Sequence, residues 1–283
     1  MELPFNVDLK GKVAVVTGGG GVLCSGFSKV LAQNGCKVAV CDLRGESAKI
    51  IANEIVADGG EAIAVSMNVL EKESIEKARD EIAEKLGTCD ILINGAGGNN
   101  PKGTTTKEYF DLEDLEKDDL VTFFDLDPKG VEFVFNLNFL GTLLPTQVFA
   151  KDMVKKGDSV ILNISSMNAF KPLTKIPAYS GAKAAISNFT QWLAVHFAKT
   201  GIRVNAIAPG FFVTNQNRAM LTNEDGSLTA RGNKIITHTP MGRFGVPEDL
   251  YGTFLWLVDN KSSGFVSGVV VPVDGGFSAY SGV

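Results

Sequence analysis

Lys12 to Asp42 of the 283-residue chain reads KVAVVTGGGGVLCSGFSKVLAQNGCKVAVCD, and the pattern of this stretch decides the fold. Lys12–Thr17 is a continuous apolar run rich in β-branched residues, the mark of a strand covered on both faces. It enters the glycines at 18–21, passes Val22, Leu23 and Cys24, and continues into the helical stretch SGFSKVLAQNG. A second apolar run, Lys37–Cys41, then ends in Asp42. A glycine turn by itself also fits a plain strand-to-helix connection. Between a buried strand and a helix, however, it has the setting a dinucleotide requires. Glycines let the backbone approach a pyrophosphate, and the helix N-terminus offers free N–H groups and the positive end of a dipole. An acid closing the second strand can bind a ribose 2′-hydroxyl and repels a 2′-phosphate. Asp42 therefore predicts NAD over NADP, with Arg44 the nearby feature that pulls the other way.

Outward from this stretch the same alternation repeats. Helical spacing at Glu46–Asp58 is followed by a strand at Ala62–Met67 that ends at Asn68 and Val69. A helix at Glu71–Leu86 precedes a strand at Asp90–Asn94 that runs into Gly95, Ala96 and Gly97. Further strands are read at Asp158–Ser165, Ile202–Ala208 and Val269–Val273, with helices at Val131–Lys156 and Pro247–Val258. Repeated strand–helix units predict an α/β fold of the Rossmann type, a doubly wound parallel sheet of about seven strands with helices on both faces. Ligands of such sheets sit beyond the carboxyl ends of the strands. The glycine turn, Asp42, Asn68 and Asn94–Gly97 would all fall there. Residues 99–130 break the pattern: this stretch is polar and acidic, and reads as a solvated insertion with a short helix, or as a subunit contact or one wall of a cleft.

No composition shift or linker divides the chain, so residues 1–283 are expected to form one domain. A net charge of −5 argues against nucleic acid or an anionic membrane as partner. The first residues have no apolar signal core, and no apolar run approaches the roughly 20 residues expected to span a bilayer. The four cysteines lack CxxC spacing, which predicts buried free thiols of a reducing cytoplasm. Two histidines, far apart, do not suggest zinc, and no metal is expected.

Tyr179 and Lys183 are four residues apart in a second long helical stretch, so they share one face. An ammonium beside a phenol favours the phenolate and should lower its pKa from about 10, towards the range useful for proton transfer. Ser166 follows the apolar run SVILNIS and could hold a substrate oxygen while the phenol exchanges its proton. Alone, this spacing is also that of an ordinary amphipathic helix. Asn138, isolated in an apolar helix, must find a partner if buried. Pro209 and Gly210 end a strand ahead of FFVTNQNRAML, which reads as an active-site flap carrying Thr214, Asn215 and Arg218.

TGGGGVL at 17–23, NGAG at 94–97, NxxG at 138–141, Ser166, YxxxK at 179–183 and PG at 209–210 together resemble the short-chain dehydrogenase/reductase family, over essentially the whole chain. The resemblance implies Tyr179 as the catalytic acid/base, Ser166 as hydrogen-bond donor to the reacting oxygen and Lys183 as the group that lowers the phenol pKa and binds the nicotinamide ribose. It implies Asn138 as holder of a relay water. It places cofactor contacts at Gly18, Gly21, Leu23, Asp42, Asn68, Val69, Asn94, Gly95, Ala96, Gly97, Tyr179, Lys183, Pro209, Gly210 and Thr214. The family's turn usually reads TGxxxGxG, whereas Val22 and Cys24 stand at its last two glycine positions here, so Gly21 is expected to substitute in a rearranged turn. The family usually assembles as tetramers or dimers.

A finer resemblance, in NFLGTLLPTQVFAKDM, PGFFVTNQNR, HTPMGRFG and the C-terminal VDGGFSAYSGV, is to the short-chain type of D-mannonate oxidoreductase (fructuronate reductase). This implies a small-molecule sugar-acid substrate. A carboxylate and several hydroxyls call for one cation and several polar groups, and Ser166, Asn168, Asn215 and Arg218 are the first candidates, with Lys171, Lys175, Gln216, Asn217, His238 and Arg243 nearby. A gluconate 5-dehydrogenase-like or polyol dehydrogenase is the competing enzyme. A non-catalytic NAD sensor is the other class, disfavoured by the joint presence of Asn138, Ser166, Tyr179 and Lys183.

Overall fold

Seven strands lie side by side, all parallel, in the order β3-β2-β1-β4-β5-β6-β7 in the computed structural model, which describes residues 7–214 and 218–282. They are β1 (Val13–Thr17), β2 (Lys37–Asp42), β3 (Glu61–Ser66), β4 (Ile91–Asn94), β5 (Ser159–Ile164), β6 (Ile202–Pro209) and β7 (Val270–Val273). The middle strands β1, β4, β5 and β6 are buried at every residue. That is why their sequences are unbroken apolar runs rather than alternating ones.

Helices cover both faces. On one side α1 (Val22–Gln33) and α2 (Gly45–Ala57) follow β1 and β2, and the Phe27 ring of α1 stacks on Phe254 of a later helix, with centroids 4.3 Å apart. On the other side lie α3 (Lys72–Lys85) and a continuous helical run made of α4 (Pro128–Phe135), a π-helical turn (Asn136–Leu140) and α5 (Gly141–Lys156). The long α6 (Pro177–His196) packs beside them. Short helices α7 (Arg218–Leu221) and α8 (Ala230–Thr237) precede α9 (Glu248–Val258), which carries Phe254. The run Pro128–Lys156 corrects the reading that no apolar stretch is long enough to span a bilayer, since by length and composition this one is. Half of its most apolar window is buried inside the protein, with Val148, Phe149 and Met153 in the core under the sheet, which is the pattern of a core helix.

A buried polar ladder fixes the centre of the sheet. Asn94 donates from Nδ2 to Thr146 Oγ1 at 3.0 Å and to Asn163 Oδ1 at 2.9 Å, and Asn163 donates to Thr190 Oγ1 at 2.9 Å. These bonds tie β4 and β5 to α5 and α6. Buried amides demand such partners, and each bond to a neutral partner contributes about 1 kcal/mol. The ladder thereby sets how the helix bearing Tyr179 sits on the strand leading to Ser166.

The insertion differs from the reading of one short solvated helix. It contains three single turns of 3-10 helix, at Pro101–Gly103, Leu112–Glu116 and Phe123–Asp125. Asp114 is buried, and Lys107 (2.7 Å) and Lys117 (3.2 Å) hold its carboxyl down at about 2. Glu108 pairs with Lys234 of α8, and the Thr105 N–H bonds the Lys175 carbonyl at 2.9 Å. The acidic run is therefore anchored to the body beside the site.

Candidate active site

The first strand delivers the chain to the glycine turn at the switch point, where β1 is flanked by β2 and β4. Gly18 has φ +64°, a left-handed conformation that favours glycine. A Cβ on it would lie 3.0 Å from the Ala96 backbone. Gly21 turns its N–H onto the Gly18 carbonyl at 2.9 Å and becomes the N-cap of α1. No side chain caps α1 and no acid lies in its first turn, so its leading N–H groups remain for an anion. Asp42 braces the same turn: Oδ2 accepts from the Gly20 N–H at 3.1 Å and Oδ1 from the Arg44 N–H at 2.9 Å.

Cys24, where the family pattern has glycine, fits because of a second glycine. A Cβ on Gly95 would stand 2.2 Å from the Cys24 sulfur. The bare Cα of Gly95 leaves the volume the thiol fills. Burial pushes that thiol up to about 12, against the pull of the Lys183 ammonium, so it is an inert packing group.

Three catalytic candidates come from two elements, the segment after β5 and α6. Ser166 ends the segment after β5 and caps a 3-10 turn (Met167–Ala169), accepting from the Asn168 N–H at 3.3 Å. Tyr179 lies in the first turn of α6, whose start is set by Pro177. Lys183, one turn on, places its Nζ 5.6 Å from the centre of the Tyr179 ring. The shared helical face is therefore as the spacing predicted. The effect on the phenol is different from the expectation. Burial drives the Tyr179 pKa up, and a hydrogen bond with Ser166 is what pulls against it. Lys183 instead donates to the Ile164 carbonyl at 2.8 Å, and burial lowers its own pKa to about 8.

The Lys183 shift predicts a pH signature. In the unfolded chain this lysine holds its proton to its ordinary 10.5, in the folded protein only to about 8. Between these values the unfolded state binds more protons, so this group's contribution to stability rises with pH across that window. Against Lys183→Met, the ligand-free wild type should gain about 3 kcal/mol between pH 8 and 10.5. Urea unfolding of both proteins across that range checks it.

A cleft of about 420 Å3 joins these groups. It is lined by Gly18, Gly21, Leu23 and Asp42 on one side, by Gly95, Ala96 and Gly97 beneath, and by Ser166, Tyr179, Lys183, Pro209, Gly210 and Thr214 opposite. Glycine cradle, uncapped helix terminus and terminal Asp42 fit a dinucleotide. Asn68, Val69 and Asn94, expected among the cofactor contacts, do not line it. Asn68 bonds the Leu70 N–H and Glu71, Val69 is buried, and Asn94 serves the ladder described above. Asn138 spends its side chain on backbone: Nδ2 donates to the Gly98 and Val134 carbonyls at 2.8 and 2.7 Å, and Oδ1 accepts from the Gly98 N–H at 3.3 Å. It sits in the π-helical turn, a feature frequent at functional sites that no sequence signal announced.

The substrate candidates scatter. Asn168 is buried with Oδ1 unpartnered, Arg218 is exposed at the start of α7, and Arg243 forms a bidentate pair with Asp249 at 2.6 and 2.8 Å. Lys175 presents its carbonyl to the insertion. Asn215, Gln216 and Asn217 lie outside the described residues. Lys171 and His238 line a second cavity beside the cleft, together with Glu108, Arg231, Lys234 and Tyr280, which sequence reasoning had not connected to any site.

The chain is 61% identical over 285 residues, covering 100% of it and 99% of its relative, to an oxidoreductase of uncharacterised activity from Haemophilus influenzae. It is 30% identical to the 2-dehydro-3-deoxy-D-gluconate 5-dehydrogenase of Escherichia coli, over 96% of this chain and 97% of that one. A crystal structure from Haemophilus influenza with bound NAD, provisionally assigned as a D-mannonate oxidoreductase, superposes with a TM-score of 0.94 at 60% identity, both chains being covered completely. A profile of the short chain dehydrogenase family matches residues 12–225. With the parallel sheet, the glycine cradle and the match over most of its length, the chain belongs to the short-chain dehydrogenase family of oxidoreductases.

Proposed function

We propose that this protein interconverts D-mannonate and D-fructuronate with NAD, using Tyr179 as acid/base. The observation that carries the reading is the meeting of Ser166, Tyr179 and Lys183 in the cleft that also holds the glycine cradle and Asp42. The sugar-acid assignment draws on the relatives: one neighbour is provisionally assigned to D-mannonate, and another acts on a deoxygluconate derivative. The basic lining of the adjoining cavity agrees with an acidic substrate. The gluconate-type relative also supports a second reading, a gluconate 5-dehydrogenase-like enzyme.

The bound nicotinamide supplies the hydride donor or acceptor. Everything else is asked of the chain. Ser166 holds the reacting oxygen, and Tyr179 passes a proton to or from it. A phenol at its ordinary pKa of about 10 is protonated at neutral pH, and burial pushes it further up, so the resting site holds the proton that reduction of a ketone needs. Lys183, still mainly charged at pH 7 with its pKa near 8, stabilises the phenolate left behind. Asn138 acts through backbone, pinning Gly98 and hence the floor of the cleft. Asp42 selects the ribose 2′-hydroxyl of NAD.

Other properties follow from the same reading. All seven strands lie in one sheet, which supports one domain over residues 1–283. Four buried free thiols suit a cytoplasmic protein. An exposed aromatic strip on α6, where Trp192 stacks between Phe189 (6.2 Å) and His196 (4.6 Å), suits contact with another copy in a dimer or tetramer. The activity is tested by NADH formation from NAD⁺ across D-mannonate, D-gluconate and D-mannitol. D-Mannonate should be turned over with the highest kcat/KM; preference for gluconate moves the assignment to the second reading.

A further inference from the structure

Next to the cleft, and meeting it at Phe211, is a cavity of about 370 Å3. The insertion supplies Glu108 and Tyr109, α8 supplies Arg231 and Lys234 and is followed by His238 at its C-cap, and the loop after Ser166 supplies Lys171. The charges there are not equivalent. Lys234 already has a counter-ion in Glu108. Lys171 is half-buried, and its Nζ donates to a neutral group, the Tyr280 carbonyl of the C-terminal segment. It forms no ion pair within 4.0 Å among the described residues. A partly desolvated ammonium without an anion is costly, and it is held in place here rather than left to swing into water. Its backbone N–H bonds the Met167 carbonyl at 3.0 Å, in the same turn that Ser166 caps. The position of the cation is thus indexed to the hydroxyl that would grip the reacting oxygen.

We propose that Lys171 is the carboxylate anchor of the substrate site, a specificity-determining residue that holds the acid end of the sugar acid while its other end lies at Ser166 and Tyr179. The inference rests on the sugar-acid reading above and adds the group that enforces it. In D-fructuronate the ketone and the carboxylate stand at opposite ends of a short chain, matching a hydroxyl–phenol pair in one compartment and a cation in the next. Glu108, paired with Lys234, keeps that neighbouring positive charge neutralised, and Arg231 lines the same cavity but is exposed to water, so among the described residues Lys171 is the partly buried ammonium of this lining without an anion. The Tyr280 carbonyl holds Nζ in position from the far side.

The test compares D-fructuronate with D-fructose, which carries CH2OH in place of the carboxylate, as substrates with NADH, or as a substrate and its competitive inhibitor. Lys171→Gln should raise KM for D-fructuronate by about 10- to 100-fold, the range of a hydrogen bond to a charged group, with a far smaller change in KM or Ki for D-fructose. Lys171→Arg should recover part of the loss. NADH binding, followed by fluorescence, reports on an intact fold. Wild-type KM for D-fructuronate in Lys171→Gln overturns the anchor, as does an equal loss towards both sugars, which would mark a structural lesion. If the wild-type protein reduces neither compound, the sugar-acid reading falls and takes the anchor with it. If it reduces D-fructuronate and the variant does so equally well, the anchor alone falls.

Discussion

Tyr179→Phe should lower kcat for D-mannonate oxidation by about 100- to 10,000-fold, the contribution of a positioned general acid or base, while NAD binding and stability stay close to wild type. The phenol oxygen is the atom in this cleft placed both to meet Ser166 by hydrogen bond and to exchange a proton with substrate. Removing it leaves the ring, which packs against the cluster of Val134, Ala178 and Ala182, so the helix should be undisturbed. The prediction is sharper than simple inactivation. Since burial raises the phenol pKa and Ser166 lowers it, Ser166→Ala should both weaken the grip on the reacting oxygen and move the acid-limb pKa of kcat/KM for alcohol oxidation upward. Steady-state kinetics across pH 6–10 on the two variants distinguish proton transfer from oxygen binding. Retained turnover in Tyr179→Phe would exclude the phenol as acid/base.

The second large effect concerns the rearranged glycine turn. Gly95→Ala places a Cβ 2.2 Å from the Cys24 sulfur and 2.8 Å from the Thr17 carbonyl oxygen. Neither can move freely: Cys24 is buried in the first turn of α1, and Thr17 accepts the Gly95 and Ala96 N–H groups on its hydroxyl at 3.0 and 3.1 Å. Overpacking of this kind costs about 1–3 kcal/mol. NAD affinity should fall with it, because Ala96 backs directly onto Gly18 of the cradle. Adding Cys24→Gly, which restores the family's residue, removes the sulfur clash but leaves the Thr17 oxygen. The two substitutions should therefore couple favourably, by about 0.5–3 kcal/mol, with incomplete rescue. A double-mutant cycle by urea unfolding measures this, and strict additivity would show that Cys24 and Gly95 do not share the space.

Much of the fold was legible because the sheet is buried on both sides. Lys12–Thr17, Lys37–Cys41 and Ile202–Ala208 read as strands from continuous apolar composition alone, and the observed strands agree to within a residue at most ends. Tyr179 and Lys183 were legible because helical spacing fixes their relation whatever packs around them. What failed depended on three-dimensional surroundings. Burial reversed the expected direction of the Tyr179 shift, and spacing contains no information about desolvation. Asn94 occupies a motif position next to the cleft, yet its side chain turns into the ladder with Thr146 and Asn163, residues 52 and 69 positions away. Glu108, Arg231 and Lys234 meet through an insertion and a short helix whose contact spans 126 residues, and no local pattern encodes it. The acidic run at 111–119 is solvated, as its charge suggests, at every residue but Asp114, which is buried and neutralised by two lysines.

The most direct measurement of the central claim is hydride transfer itself. D-Mannonate carrying deuterium at the carbinol carbon that becomes the ketone should, with NAD⁺ and the wild-type protein, yield NADH labelled with deuterium on the nicotinamide ring and one equivalent of D-fructuronate. Product formed without label on the nicotinamide, or no product while NAD still binds, would contradict the account.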